Sequence, residues 1–482
     1  MLDVRPVLFI NGFLLLILAA AMGLPAVVDA LSEDLDWEVF AAAEGATAFL
    51  GGAMMLGAKP DARFRLDIRQ AFLVTVTGWL LSALCAALPF AFSVLSLSPT
   101  DSLFEAMSGL TTTGATVIVG LDHAPKGILI WRALLNWVGG AGIIVMAVAI
   151  LPVLRIGGMQ IFRMEAGDKA EKIRPRVSQL TLSIATLYVS LTLLSGIGFW
   201  LAGMNGFDAV CHAMAALSTG GFSTSDSSLA HWGGGVQWVA VASMLVAGAP
   251  FPLMVAPWRR GRAPLVDDTQ VLAYLKLLTM AAATLGVWRW ATSDQDLLDS
   301  LRAATFAVTS IATTTGFVAA DTAPWGGFAH VVLFMLAFAG GCSGSPAGGV
   351  KIFRWQVLKQ LATVHIKRLL HPHGVFVIEF NRRRVAATAV DAVLGFVVLY
   401  MVTFAIHALA LTAADCDLVT ALSGSAAALG NVGRGLGGVI GDTGTWKPLT
   451  DPAKWIVTGE MLLGRLELFT VFVVFTSGFW RD

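Results

Sequence analysis

Apolar runs long enough to cross a bilayer recur near 7–28, 39–58, 70–95, 127–153, 178–202, 234–256, 270–291, 325–369 with one interruption, 385–413 and 453–479. Between them lie shorter, half-apolar pieces near 101–113, 205–219, 298–314 and 415–430. Each is about three helical turns, too short to span ~30 Å of hydrocarbon. The pattern predicts an all-α polytopic membrane protein in which these four pieces enter the bilayer and turn back. Each ends in a short polar segment: Thr111-Thr112-Thr113-Gly114-Ala115, Ser218-Thr219-Gly220-Gly221-Phe222, Thr313-Thr314-Thr315-Gly316-Phe317 and Asn431-Val432-Gly433-Arg434-Gly435.

Composition agrees. Of 482 residues, 56% are hydrophobic and 13% charged, and the mean hydropathy is +0.75, far from a soluble domain in which about a quarter of residues are charged. Val7 to Ala21, preceded by Arg5, has the look of a signal peptide, but many further spans follow, so it reads as an uncleaved first helix. Net charge is zero and points to no nucleic-acid partner. Cys85, Cys211, Cys342 and Cys416 share no metal-binding spacing and read as small apolar residues.

Where the charges fall orients the chain. Arg63, Arg65 and Arg69; Arg155, Arg163, Lys169, Lys172, Arg174 and Arg176; Arg259, Arg260 and Arg262; and Lys367, Arg368, Arg382, Arg383 and Arg384 occupy loops between alternate pairs of spans. The positive-inside rule makes those loops cytoplasmic, with the N-terminus on the same side. The opposite loops carry Asp29, Glu33, Asp34, Asp36, Glu38, Asp101, Asp122, Asp208, Asp226, Asp294, Asp296, Asp299, Asp321, Asp415 and Asp417, and all four short pieces start there.

The repeating unit is a span, a re-entrant half-helix, a Gly-Thr loop and a second span. It occurs four times, over 68–165, 166–262, 263–372 and 373–482, after an N-terminal helix pair at 1–67. Ala106 to Gly114 matches Ala213 to Gly221, and Gly221-Phe222 followed by Asp226 matches Gly316-Phe317 followed by Asp321, which makes Gly114, Gly221, Gly316 and Gly433 equivalent. Glycine and threonine are common at helix contacts in membranes; their repetition in register is what argues for more.

A dehydrating cation must exchange water oxygens for protein oxygens, and a ring of four loops with inward carbonyls can provide them. Aligning successive carbonyls requires conformations that glycine adopts without steric cost. The candidate ion-binding residues are Thr112, Thr113 and Gly114; Thr219, Gly220 and Gly221; Thr314, Thr315 and Gly316; and Asn431, Val432 and Gly433. Half-helices entering from the acidic face would aim their partially negative C-termini at the centre, which favours a cation. Asp226 and Asp321, just beyond the loops, could concentrate cations at the mouth.

A second unusual stretch, Gly340 to Gly349, holds five glycines and Pro346 within an apolar span, so the helix must break there. With Gly344, Ser345, Gly348, Gly349 and the following Lys351 it is placed to cross the pathway as a gate; the alternative is a kink without a gating role. Arg465 lies deep in the last apolar run, with Glu460 and Glu467 nearby. An intramembrane arginine needs a partner or water, here those carboxylates or the oxygens of the broken loop.

The four loops, Trp137 to Ile144 continuing to Gly157-Gly158-Met159-Gln160-Ile161-Phe162-Arg163, the run Gly340 to Lys351, and the Gly464-Arg465 pair together resemble the TrkH family, membrane subunits of bacterial Trk potassium-uptake systems. The resemblance covers essentially the whole chain. It implies the superfamily-of-potassium-transporters fold, one pore per subunit, a homodimer in the bacterial inner membrane, and a cytosolic TrkA-like nucleotide-binding ring as regulatory partner. It further implies that the four glycines form the potassium filter, that 340–350 is the gate loop, and that Arg465 limits passage below the filter. This chain has no phosphate-binding glycine loop after a strand, so nucleotide sensing falls to the partner and the chain itself needs no cofactor.

One departure stands out: where the family's fourth loop often reads Asn-Val-Gly-Pro-Gly, this chain has Arg434, a cation that would repel potassium unless paired by Asp442 or Asp226. Glycine in all four loops fits potassium, whereas serine in the first loop accompanies sodium in related plant transporters. Sodium or non-selective transport is the alternative, and channel and symport mechanisms are both compatible. A membrane-embedded enzyme is the other class, but no His-Glu-x-x-His or nucleophile motif supports it; His212 and His407 read as packing residues.

Overall fold

The computed structural model describes residues 2–58, 66–149, 174–256, 264–442 and 444–481. Among them, seven helices are long and apolar enough to cross a membrane. The N-terminal pair, α1 (Arg5–Leu31) and α2 (Trp37–Gly57), packs as a hairpin onto the first repeat. Its crossing is close because Gly12 and Gly51 face each other: a Cβ on Gly12 would lie 2.6 Å from the Gly51 carbonyl oxygen, the small-residue contact that lets membrane helices approach.

The first repeat is α3 (Ile68–Ala86), half-helix α4 (Pro99–Leu110) and α5 (Lys126–Ala149). The second comprises α6 (Arg174–Leu201), half-helix α7 (Gly206–Leu217) and α8 (Gly234–Ala247). In the third, α9 (Thr269–Thr292) and half-helix α10 (Leu297–Ala312) precede a second span split into α11 (Gly326–Ala337) and α12 (Ile352–Leu370). The fourth contains α13 (Ala387–Ala413), half-helix α14 (Leu418–Leu429) and α15 (Asp451–Arg465).

Each half-helix starts at a polar residue suited to its orphan N–H groups. Ser98 accepts from the Asp101 N–H at 3.1 Å, Asn205 from that of Asp208 at 2.8 Å, and Asp417 from those of Val419 and Thr420 at 3.1 Å. The bonds from Thr420 hold the Asp417 carboxyl below the usual carboxylate range. Asp296 precedes the third half-helix without a side-chain cap.

The interruption expected in 325–369 is present, but the structure also breaks two runs that read as continuous. In 234–256 the helix stops at Ala247 and Gly248-Ala249-Pro250 follows; Pro250 has no N–H and disfavours helix at the residue before it. In 453–479 the helix stops at Arg465, and Glu467 and Leu468 are left-handed, with φ of +58° and +41°. No proline marks that second break; it is fixed by tertiary contacts of Arg465 and Glu467. Among the described residues one small element departs from the all-α reading: Glu379–Phe380 pairs antiparallel with Arg383–Arg384 across a two-residue turn at Asn381 and Arg382. Both turn residues have positive φ, as a tight hairpin turn requires.

Of the basic residues that orient the chain, Arg63, Arg65, Arg155, Arg163, Lys169, Lys172, Arg259, Arg260 and Arg262 lie outside the described residues, as does the Gly157 to Arg163 segment.

Candidate ion pathway

All four loops share one backbone conformation. Thr112, Thr219, Thr314 and Asn431 are left-handed, with φ of +51°, +54°, +58° and +54°, and the glycines two positions on, Gly114, Gly221, Gly316 and Gly433, have φ of +79°, +74°, +81° and +76°. The cause lies at the half-helix ends. The N–H groups of Thr113, Gly220, Thr315 and Val432 donate five residues back, to the carbonyls of Ser108, Ala215, Ser310 and Ala427, at 2.8–2.9 Å. That helix-terminating bond requires a left-handed residue just before it. A threonine there costs about 1–2 kcal/mol, so each is held by its surroundings; all four are completely buried.

Left-handed residues at alternate positions turn successive carbonyls toward one side, the arrangement that lines an ion path with oxygen. Among the described residues, no protein donor bonds the carbonyl oxygens of 112–114, 219–221, 314–316 or 431–432. The exception is Gly433, whose oxygen accepts from the Trp446 indole N–H at 3.1 Å.

The loops form a closed ring in chain order. A Cβ built on Gly114 would lie 2.3 Å from the Gly220 oxygen, on Gly221 1.8 Å from that of Thr315, on Gly316 2.2 Å from that of Val432, and on Gly433 1.9 Å from that of Thr113. Any side chain at these positions would therefore displace the neighbouring loop's carbonyl. The ring contains every loop residue singled out in the sequence, and an open cavity on one side is lined by the four glycines together with Asp226, Arg434 and Asp442.

Arg434 does not point freely into that cavity. Its guanidinium pairs with Asp442 and donates to the Phe317 carbonyl at 3.0 Å, tying the fourth loop to the third. Asp226 accepts from Gly120 and Leu121 at 2.9 and 3.0 Å and does not serve Arg434. The fourth loop keeps the torsions of the other three despite the arginine.

Beneath the ring, residues 338–351 form a buried non-helical loop with left-handed Gly340, Gly344, Gly349 and Lys351. Gly340 and Gly349 form its neck, too close for a Cβ on either. Its tip is pinned on several sides. Gly344 rests against Pro250 and Pro252 and accepts from the Phe251 N–H at 3.1 Å; Gly348 donates to Thr314 Oγ1 at 2.7 Å and abuts the Gly430 carbonyl. Lys351 Nζ lies 3.4 Å from the Ser345 oxygen. Arg465 donates to the Pro346 carbonyl at 2.6 Å and to that of Gly139 at 3.2 Å. Its partners are thus backbone carbonyls, one in the broken loop and one in α5, not the nearby carboxylates: Glu460 accepts from Ser425 and Glu467 pairs with Arg354.

Among the buried pairs that sequence reasoning missed, one lies beside the ring. Glu105, fully buried in α4, accepts from Arg132 Nε at 2.8 Å, from Thr116 Oγ1 at 2.9 Å and from the Val117 N–H at 2.9 Å. Arg132 reaches on to the Ser223 carbonyl at 2.7 Å and lies over the Phe222 ring, 4.1 Å from its centroid. A signal was present, a carboxylate in the middle of a half-helix that enters the bilayer, beyond the Asp101 of its first turn. His212 stands at the same register as Glu105 and contacts Ser223 Oγ at 2.9 Å, eleven residues on, as Glu105 contacts Thr116. It is more than a packing residue.

Spanning helices, re-entrant half-helices and a closed ring of glycine-centred loops, whose carbonyls apart from that of Gly433 accept from no donor among the described residues, define a multi-pass membrane protein with a central polar pathway. The cation transport protein family TrkH matches residues 42–279 and 269–481, and the chain belongs to that family. It is 38% identical over 486 residues to the Trk system potassium uptake protein TrkI of Halomonas elongata, covering 99% of this chain and 97% of that one. To the Trk system potassium uptake protein TrkH of Escherichia coli strain K12 it is 36% identical over 489 residues, covering 99% of each. The crystal structure of the potassium transporter TrkH from Vibrio parahaemolyticus superposes with a TM-score of 0.91 at 34% identity, covering all of both chains. The chain is therefore a cation transporter rather than an enzyme.

Proposed function

We propose that this chain takes up potassium selectively, through the ring formed by residues 112–114, 219–221, 314–316 and 431–433. The observation that carries the reading is the closure of the ring: each glycine fits against the next loop's carbonyl, and those carbonyls have no competing protein donor. A potassium ion entering from the cavity beside Asp226 and Asp442 would exchange water for backbone oxygens that are already oriented, with little reorganisation. Names of relatives, which specify potassium uptake, support the choice of ion.

Below the ring, the 338–351 loop and Arg465 act as the gate. A full positive charge ~6 Å from an ion opposes it by about 3 kcal/mol at an effective dielectric constant of ~20, roughly a hundredfold in occupancy. Conduction then requires Arg465 and the Pro346 region to move together. The helix α12 and the hairpin at 379–384 continue from this loop to exposed basic residues on the side read as cytoplasmic, where a TrkA-like nucleotide-binding ring could act on the gate. A homodimer in the bacterial inner membrane, with the N-terminus inside, completes the reading. Complementation of a potassium-uptake-deficient bacterium at low external potassium, with and without the cognate ring subunit, tests it. Growth with the ring present is expected; failure in both cases, with the protein in the membrane, would overturn it.

A further inference from the structure

Beyond the glycines, the ascending limbs of the four loops are laced to one another around the ring. The second and third are joined by the Leu229 N–H to the Val318 carbonyl at 2.8 Å and the Val318 N–H to Ser228 Oγ at 3.1 Å. Arg434 joins the third to the fourth through the Phe317 carbonyl. Trp446 joins the fourth to the first, its backbone N–H donating to the Thr116 carbonyl at 2.9 Å and its indole N–H to that of Gly433.

The link between the first and second limbs comes from outside the limbs, from side chains on α4 and α5. Arg132 is buried between them, its Nε on Glu105 and its Nη1 on the Ser223 carbonyl, while Glu105 holds Thr116 and Val117 of the first limb. Among the described residues a second tie lies at the rim, where the Gly120 and Leu121 N–H groups donate to Asp226. Taking two charges out of water is costly, and an apolar pair could fill the same space more cheaply. What an apolar pair could not supply is direction. A planar guanidinium bonded along two edges and stacked on Phe222 fixes the separation and the tilt of its partners, which a point charge on a flexible stem does not.

We propose that Arg132, braced by Glu105, is a positioning residue for ion discrimination: it sets the spacing of the first and second loops and so the width of the carbonyl ring. The proposal rests on the ring being the ion path. Arg132 need not touch the ion; it acts through the Ser223 carbonyl, two residues beyond Gly221, as Glu105 acts through Thr116, two beyond Gly114. The two ends of the strut therefore meet the two limbs at the same register.

The test compares tracer rubidium and sodium uptake in the same cells for the full chain, Arg132→Lys and Thr116→Val, each normalised to protein in the membrane. Arg132→Lys keeps the charge opposite Glu105 but loses the fork, and should lower the rubidium-to-sodium uptake ratio at least fivefold; Thr116→Val removes one bond to Glu105 and should lower it about twofold. Loss of protein would scale both ions alike, so the ratio separates positioning from folding. An unchanged ratio in Arg132→Lys overturns the proposal, and if that variant does not reach the membrane, an unchanged ratio in Thr116→Val does so. Absence of any preference for rubidium over sodium in the unsubstituted chain would instead count against the potassium reading itself.

Discussion

Arg465 Nη1 lies 2.6 Å from the carbonyl oxygen of Pro346, so the last long helix of the fourth repeat holds the tip of a loop that belongs to the third. The same guanidinium reaches Gly139 in the first repeat, and the loop leans on Pro250 and Pro252 in the second. One buried cation thus joins three repeats beneath the ring, and the loop it holds reaches the second. Charge-assisted bonds to carbonyls in a dry site are among the stronger ones a protein makes.

Arg465→Gln should loosen this clasp and remove the charge together. Tracer uptake without the ring partner is expected to rise at least threefold, with Arg465→Lys, which keeps the charge but not the two-pronged reach, falling between. Uptake unchanged in Arg465→Gln would show that the clasp does not limit passage.

At the ring itself, sterics decide. Gly316→Ala would place a methyl carbon 2.2 Å from the Val432 oxygen, far inside contact distance, at φ +81°. The strained torsion alone costs about 1–2 kcal/mol, and the displaced carbonyl adds to it. Uptake should fall more than tenfold at equal membrane level, while Gly459→Ala, with open space around its Cβ, is expected to be silent.

Much of this architecture was legible in the sequence. The half-helices and loops announced themselves because brief apolar pieces cannot span a bilayer and because the glycines recur in register; even the placement of the second loop's key residue at Gly221 rather than Gly220 followed from alignment with Gly316. The break at Gly340 to Gly349 was readable from glycine and proline. Breaks set by tertiary contact were not: nothing local at Leu466 signals that Glu467 will be drawn to Arg354. Pairings across repeats were hidden for the same reason. Arg465 had three candidate partners in sequence, and only packing selects Pro346 and Gly139; within the first repeat, Glu105 and Arg132 are 27 residues apart and also meet only through the fold.

Arg434 offers a sharper electrostatic case. With Asp442 beside it the guanidinium is neutralised at the mouth. Asp442→Asn should expose that charge to entering cations and raise the potassium concentration for half-maximal uptake about threefold or more, an effect that shrinks as added salt screens it. Arg434→Gln combined with Asp442→Asn should recover most of the loss. A double variant no better than Asp442→Asn would mean that the aspartate acts in its own right, not by masking the arginine.

Stability should register the Glu467 to Arg354 pair, in which both side chains are buried and Arg354 also lies over the Phe396 ring at 3.7 Å. Glu467→Gln deprives a buried guanidinium of this carboxylate, a change that costs about 3 kcal/mol in comparable buried pairs. The purified variant is expected to unfold at a clearly lower temperature in detergent. An unchanged transition would mean that the pair contributes little to holding the break after Arg465.

The most direct measurement of the central claim is tracer potassium flux, with sodium as competitor, in cells carrying the full chain and its ring subunit, set against Gly114→Ser at matched membrane level. The ring account expects potassium to outcompete sodium strongly in the unsubstituted chain and that preference to weaken at least fivefold in Gly114→Ser, because the new side chain must push back the Gly220 carbonyl. An ion preference unaltered by the substitution would contradict the assignment of these four loops as the selectivity filter.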